Sequence, residues 1–283
     1  MRSSYEPSHC VYAAVVTKDR CALLRRLLRA LRNQNDALRG ITVVDNASRD
    51  GTVKMLRDEF QGVHTIRASE NRGGAWAFRE AISYCYSEGA EFIWIMDDDC
   101  CPRPDSLKHL LRVIASDNTI VAVTPTKVDA AGRRWPNEGI IQSGRITSPS
   151  VDMYELGQFD CDYASFMGLL IRRDVVSRVG LPNDSLFFWY DDSEYCCRIR
   201  SVGRIVAVPP SLVEHEEPQN QPAALPQTAI WRHYYWLRNR ILLRRRLRPP
   251  ITLMNLVWSI THQLAAIILK RDAKAYRCRI VLT

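Results

Sequence analysis

The sequence predicts an α/β fold, a mostly parallel sheet flanked by helices, with a basic helical appendage at the C-terminal end. Three observations carry this expectation. Short apolar runs alternate with helical stripes as far as Thr124, the pattern of strands joined by helical crossovers. The run Phe92 to Met96 stops abruptly at Asp97, Asp98 and Asp99, and ligands of open α/β sheets gather beyond the carboxyl ends of strands. Basic charge is concentrated at the end of the chain. Residues 228 to 283 hold twelve Lys and Arg against the single acidic Asp272, which is +11 of a total of +8 and leaves the first 227 residues at −3.

Taken in order, Val11 to Val16 reads as the first strand. Cys21 to Asn33 sets Leu23, Leu24, Leu27, Leu28 and Leu31 at helical spacing. Ile41 to Val44 is a second strand, closed by Asp45-Asn46. The turn Ala47 to Gly51 leads into a helix over Thr52 to Phe60. Val63 to Arg67 is a third strand, and Asn71-Arg72-Gly73-Gly74 opens a helix that runs to about Tyr86. After the strand Phe92 to Met96, Pro104 to Ser116 predicts a helix with proline in its first turn. Ile120 to Thr124 is a fifth strand. Lys127 to Asp160 has no clear periodicity, and a long irregular stretch in a compact domain is usually functional. A strand over Phe166 to Ile171, a short helix to Val179 closed by Gly180, a helix over Glu194 to Val202 and a strand over Ile205 to Val208 follow. Gln219 to Pro226 reads as a linker. Two helices are expected beyond it, a basic aromatic one over Trp231 to Arg248 and, after Pro249-Pro250, a second that carries Met254 to Ile268 and ends in Lys270-Arg271.

Bulk properties narrow the function. The acidic balance of the first 227 residues argues against nucleic acid as the core's partner. Met1 to His9 is polar, so no leader peptide is expected. Ile251 to Leu269 carries Asn255, Ser259, His262 and Gln263, too polar for a membrane span. The nine cysteines include no CxxC pair, and adjacent Cys100-Cys101 and Cys196-Cys197 suit neither zinc nor disulfides, so reduced thiols are expected.

The candidate chemistry centres on carboxylates. Three adjacent aspartates cannot all stay ionised uncompensated, because like charges raise one another's pKa. A hard divalent cation, Mn2+ or Mg2+, supplies the compensation. Extended side chains alternate, so Asp97 and Asp99 are expected on one face and Asp98 on the other. A solvated acidic turn is the plain alternative. Asp45, at a strand end, is either a helix cap or an acceptor for a nucleobase imide or a ribose. Asn71 with Gly73-Gly74 is either a cap or a close approach to a nucleotide. Asp191 and Asp192 suit the first turn of a helix, yet paired carboxylates after a bulky aromatic run also suit a general base of tuned pKa. His215 among Glu214, Glu216 and Glu217 is either a surface histidine or a third metal ligand.

In combination, Ala14-Val-Val-Thr-Lys-Asp-Arg20, Val43-Val-Asp-Asn-Ala-Ser-Arg-Asp-Gly-Thr52, Glu70-Asn-Arg-Gly-Gly-Ala75 and the Asp97-Asp98-Asp99 strand end resemble glycosyltransferase family 2, with its GT-A, Rossmann-like fold. The resemblance spans about residues 10 to 245. Trp189-Tyr-Asp-Asp-Ser-Glu194, then His215 and Tyr234-Tyr-Trp-Leu-Arg-Asn239, are similar to bacterial galactofuranosyltransferases and rhamnosyltransferases, although Tyr190 intervenes before the paired aspartates. The resemblance implies an inverting, metal-dependent enzyme of cell-surface polysaccharide synthesis. UDP-galactofuranose is the first expected donor and dTDP-rhamnose the second. Thr17, Arg20, Asp45 and Asn71 would border the nucleoside, with Asp98 nearer the ribose or sugar. Asp97, Asp99 and His215 would hold Mn2+ or Mg2+, and Asp192 would be the general base.

The implied division is a catalytic domain over residues 1–227 and an amphipathic region over 228–283. A basic, aromatic-rich helix suits an anionic membrane surface, so the expected place is the cytoplasmic face of a bacterial membrane, acting on a glycan or lipid-diphosphate-linked acceptor. Packing of that helix on the core is the plainer reading. The rival functions are a two-metal phosphohydrolase using the aspartate triplet and a nucleic-acid binder using the arginine tail.

Overall fold

The computed structural model describes residues 9–36, 38–136, 138–142, 145–215 and 230–247. Its elements run β1 (Val11–Thr17), α1 (Cys21–Arg32), β2 (Gly40–Asp45), α2 (Thr52–Glu59), β3 (His64–Arg67), α3 (Gly74–Ser87), β4 (Phe92–Asp97), β5 (Cys100–Pro102), α4 (Ser106–Ser116) and β6 (Ile120–Val128). There follow β7 (Arg134–Trp135), β8 (Glu138–Gln142), β9 (Arg145–Thr147), β10 (Phe159–Cys161), β11 (Tyr163–Ala164), β12 (Met167–Arg172), α5 (Arg173–Val179), α6 (Asp191–Ile199), β13 (Arg204–His215) and α7 (Ile230–Leu247).

The main sheet has the order β10-β13-β6-β12-β4-β1-β2-β3. Parallel pairing joins β3, β2, β1 and β4, and separately β6 and β13. Strand β12 lies antiparallel between β4 and β6, so both of those blocks point the same way. The carboxyl ends of β1, β2, β4 and β13 therefore fall along one edge, where Thr17, Asp45, Asp97 and His215 stand. The expected α/β sheet is present, with β12, β10 and the short β5 and β7 as its antiparallel members.

Alternation divides the core between the two faces of the sheet. Ala14, Val16, Ile93 and Ile95 pack under Trp76, Phe78, Ala81 and Ile82 of α3. Ala13, Val15, Trp94 and Met96 pack against α1 and α4 on the other side. The α1 stripe buries Leu24, Leu27, Leu28 and Leu31, each stabilising by roughly 1.5–3 kcal/mol.

Three sequence expectations are corrected here. The stretch 127–160 holds β7, β8, β9 and a 3-10 turn over Val151–Glu155; these strands are two to five residues long and show no period. The helix expected from Glu194 begins at Asp191. The strand expected over Ile205 to Val208 extends to His215. The second C-terminal helix and the linker lie outside the described residues. Helix α7 packs on the core through buried Asn239 and Leu243.

Candidate active site

Strand β4 delivers the aspartate triplet. Asp97 is its last residue and pairs in register with Val16 of β1. The chain then turns at Asp98 and Asp99. The turn breaks the expected alternation: Arg20 Nη1 reaches both Asp98 Oδ1 at 3.0 Å and Asp99 Oδ2 at 2.7 Å. Thr17, buried at the end of β1, donates its hydroxyl to Asp98 Oδ2 at 2.6 Å. Thr17 and Arg20 thus hold Asp98 directly, and all three line one cleft of about 790 Å³, within the usual size range of small-molecule sites.

His215 arrives through a pairing that no local pattern announces. Strand β5 runs antiparallel to the end of β13 and sets His215 opposite Cys100, next to Asp99. His215 Nε2 lies 3.4 Å from Asp99 Oδ1. Asp99 Oδ1 and His215 Nδ1 are buried without a hydrogen-bond partner. Burial pushes the Asp99 carboxyl up, but the His215 imidazole and the Arg20 guanidinium outweigh it and hold Asp99 below the ordinary range. Asp97 goes the other way, raised well above that range by burial first and then by the charges of Asp99 and Asp98.

The donor chemistry fits a hard divalent cation: carboxylate oxygens and an imidazole, with the buried Asp99 Oδ1 facing only His215 Nε2 at 3.4 Å. Among the described residues, however, no three His, Cys, Asp or Glu side chains form a preassembled metal set. The structure brings Asp99 and His215 together, with Asp97 close enough to feel Asp99's charge.

Asp191 and Asp192, in the first turn of α6, line the same cleft, and the charge of Asp191 also acts on Asp97. The preceding segment is strained. Phe187, Trp189 and Tyr190 have φ of 61°, 63° and 66°, a region that costs bulky residues roughly 1–3 kcal/mol each. Asp192 Oδ2 accepts from the Tyr163 hydroxyl at 3.0 Å, and its Oδ1 accepts from the Ser193 backbone N–H and hydroxyl. Burial raises Asp192 despite these bonds. Burial and the neighbouring Asp192 push Asp191 up to about 7. Asp191 is thereby poised to exchange a proton near neutrality, and the raised Asp192 is a stronger proton acceptor than an ordinary aspartate.

A second hollow adjoins the cleft, sharing Lys18, Asp19 and Asn71 with it. Beside it, Asp45 is fully buried at the end of β2. Its Oδ1 accepts from Ser48 N at 2.9 Å, while its Oδ2 has no hydrogen-bond partner. Asn71 lines both hollows, but its Oδ1 is held by Asn46 Nδ2 at 3.0 Å and by Gly73 N at 3.1 Å. Sequence reasoning missed Tyr163 and Asn46. Asn46 was visible beside Asp45 in a quoted motif; Tyr163 carries no local signal.

A mostly parallel sheet with a carboxylate-rich cleft at its carboxyl edge is the architecture of GT-A glycosyltransferases, the fold that solved structures share with this chain. The chain belongs to glycosyl transferase family 2, whose model matches residues 12–180. It is 26% identical to a dTDP-rhamnosyl transferase, RfbF, of Shigella flexneri over 96% of this chain and 93% of that protein. It is 28% identical to a galactofuranosyltransferase of Mycolicibacterium smegmatis over 65% of this chain and 63% of that one. Among solved structures, it is similar to the mannosyltransferase PcManGT of Pyrobaculum calidifontis in complex with GDP-Man and Mn2+, at 18% identity and a TM-score of 0.60, covering 98% of this chain and 76% of that one.

Proposed function

We propose that the protein transfers one sugar from a nucleotide-sugar donor to a glycan hydroxyl with inversion, using Asp192 as general base. One observation carries the reading: the aspartates at the end of β4 and those at the start of α6 line a single cleft. In the transfer, Asp192 takes the proton of the acceptor hydroxyl as that oxygen bonds to the anomeric carbon. The bond from that carbon to the diphosphate oxygen breaks, its electron pair leaves with the nucleoside diphosphate, and the configuration inverts. Tyr163 and Ser193 fix the Asp192 carboxylate so that one oxygen faces the acceptor. Asp45 accepts the imide N–H of a pyrimidine base, and Asn71 shapes the approach of the diphosphate. Thr17 and Arg20 hold Asp98 beside the ribose or sugar.

Asp97, Asp99 and His215 would hold Mn2+ or Mg2+, which supplies charge stabilisation to the departing diphosphate. Support comes from the juxtaposition of Asp99 and His215, buried with Oδ1 and Nε2 3.4 Å apart, and from the Mn2+ in the PcManGT complex.

The near-full-length match to the rhamnosyl transferase favours dTDP-rhamnose as donor. The shorter match keeps UDP-galactofuranose as the alternative, reversing the order expected from motifs. The acceptor class is a lipid-diphosphate-linked glycan at the cytoplasmic face of a bacterial membrane, with residues 1–227 catalytic and 228–283 engaging the surface.

The test is incubation with each donor and Mn2+, measuring nucleotide release. One donor should turn over, and Asp192→Asn should lower turnover by roughly 10²–10⁴-fold while calorimetry shows donor binding retained. A variant that still transfers would remove Asp192 from the role; release from neither donor would defeat both sugars.

A further inference from the structure

The segment that carries Asp191 and Asp192 into the cleft is held by the basic helix: Tyr235 stacks on the Phe187 ring, Arg232 lies over the Phe188 ring, and Asn239 takes the backbone. Asn239 of α7 is fully buried. Its Nδ2 donates to the carbonyls of Leu186 at 2.8 Å, Phe188 at 3.0 Å and Trp189 at 2.9 Å. Only the amino end of the amide can serve three carbonyls, and its two hydrogens are shared among them. The oxygen end is fixed separately, because Arg238 Nη1 donates to Asn239 Oδ1 at 3.3 Å and to the Ser185 carbonyl at 2.9 Å.

The choice of carbonyls is informative. Each belongs to the peptide immediately before a residue of positive φ: Leu186 before Phe187, Phe188 before Trp189, and Trp189 before Tyr190. Those peptides are the groups whose rotation would let the three residues relax to ordinary conformations. Relaxation would swing the start of α6, and Asp191 and Asp192 with it. The segment is also pressed against the donor side. The Phe187 carbonyl accepts from Ala75 N at 3.2 Å, and a Cβ at Gly73 would come within 2.3 Å of that same oxygen. Gly73 is in turn tied through its carbonyl to Asn46, beside Asp45.

We infer that Asn239 is a positioning residue of the transfer reaction: the C-terminal helix, through one amide, holds the strained Phe187–Tyr190 segment in the conformation that aims Asp192 at the acceptor. This rests on the reading of Asp192 as the base. Asn239 touches no substrate, so its removal should leave donor binding intact and misplace only the proton acceptor.

The experiment compares wild type, Asn239→Ala, Arg238→Ala, Leu243→Ala and Asp192→Asn in the full chain. Leu243 is buried one turn further along the same helix and reports on helix packing alone. Hydrogen exchange should rise in 186–192 of Asn239→Ala and not of Leu243→Ala. With Mn2+ and the donor that wild type turns over, kcat of Asn239→Ala should fall by up to about 10²-fold, the scale of an ångström misplacement of a catalytic group. The donor KM should hold, and the acid limb of the pH profile should move as Asp192's surroundings change. Leu243→Ala should melt lower and keep the wild-type profile. Where Asn239→Ala does not fold, Arg238→Ala, which frees the amide without deleting it, should show the same pattern more weakly.

Unchanged exchange in 186–192 overturns the clamp. Raised exchange with wild-type kcat and pH profile overturns the positioning role. If Asp192→Asn keeps full turnover, the assignment of the base fails, and the exchange comparison still decides whether Asn239 holds the segment.

Discussion

Asp45 keeps Oδ2 buried and without a hydrogen-bond donor, 3.7 Å from Arg67 Nε. A buried acceptor left unmatched costs about 1–3 kcal/mol, and a pyrimidine imide N–H would satisfy it. Asp45→Asn should therefore weaken donor binding by roughly 10–100-fold, read by calorimetric titration with the nucleoside diphosphate; unaltered affinity would remove Asp45 from base recognition. Asp191 makes a different forecast. Its folded carboxyl is raised to about 7, so between about pH 4 and 7 the native chain keeps a proton that the unfolded chain releases. The stability present below that window is lost as pH rises through it. In ligand-free protein, Asp191→Asn should melt above wild type at about pH 8, and the gap should close near pH 4. Loss of a helix-start charge opposes this by only about 0.3–1 kcal/mol. The placement of single residues was legible where a strand pattern fixed it, as for Asp45 and Asp97 at the ends of β2 and β4. Tyr163 and Arg20 were not legible as carboxylate partners, because those contacts depend on which loops the fold brings together.

At the level of elements, β12 shows what the cleft demands. Its register shifts between Met167 and Leu169, and a bulge beside a site re-aims the chain. Gly168 sits there at φ 98°, where a Cβ would lie 2.8 Å from Pro125 Cγ. Its carbonyl accepts from Trp94 Nε1 at 2.9 Å. Gly168→Ala should lower stability by about 1–3 kcal/mol, seen as a reduced melting temperature; an unchanged melting curve would show that the bulge relaxes freely. The helical stripes of α1 and α3 and the apolar run of β4 were readable because period and burial agree. The start of α6 was not, because an aromatic run followed by left-handed backbone has no period. Strand β5 is three residues long, and the last turn of the ladder at His215 is set by its partner rather than by its own composition.

For the whole molecule, the open matter is what the basic end does. Among the described residues no helix is long and apolar enough to cross a membrane. Removing residues 248–283 should reduce binding to vesicles containing anionic lipid, as a cosedimentation assay would measure, while calorimetric donor affinity persists. Extending the deletion to residue 230 should also take turnover, since it removes α7. Equal vesicle binding by the full chain and the shorter one would place the membrane contact elsewhere. The division of charge along the chain was readable by counting. The docking of α7 was one of two readings the sequence offered, and its contact through Asn239 carries no signal because the helix's polar and apolar residues are mixed.

The position of β12 bears on how the protein is made. Strands β4 and β6 are joined in sequence through the short β5 and α4, yet are separated in the sheet by a strand that leaves the ribosome some forty residues after β6. The nascent chain can close the β1–β4 block early, but it must keep a place vacant until β12 emerges and runs back between its elders. Synthesis that pauses before residue 172 would leave two apolar strand edges bare, and a chaperone that shields such edges should be found on ribosomes stalled in that interval.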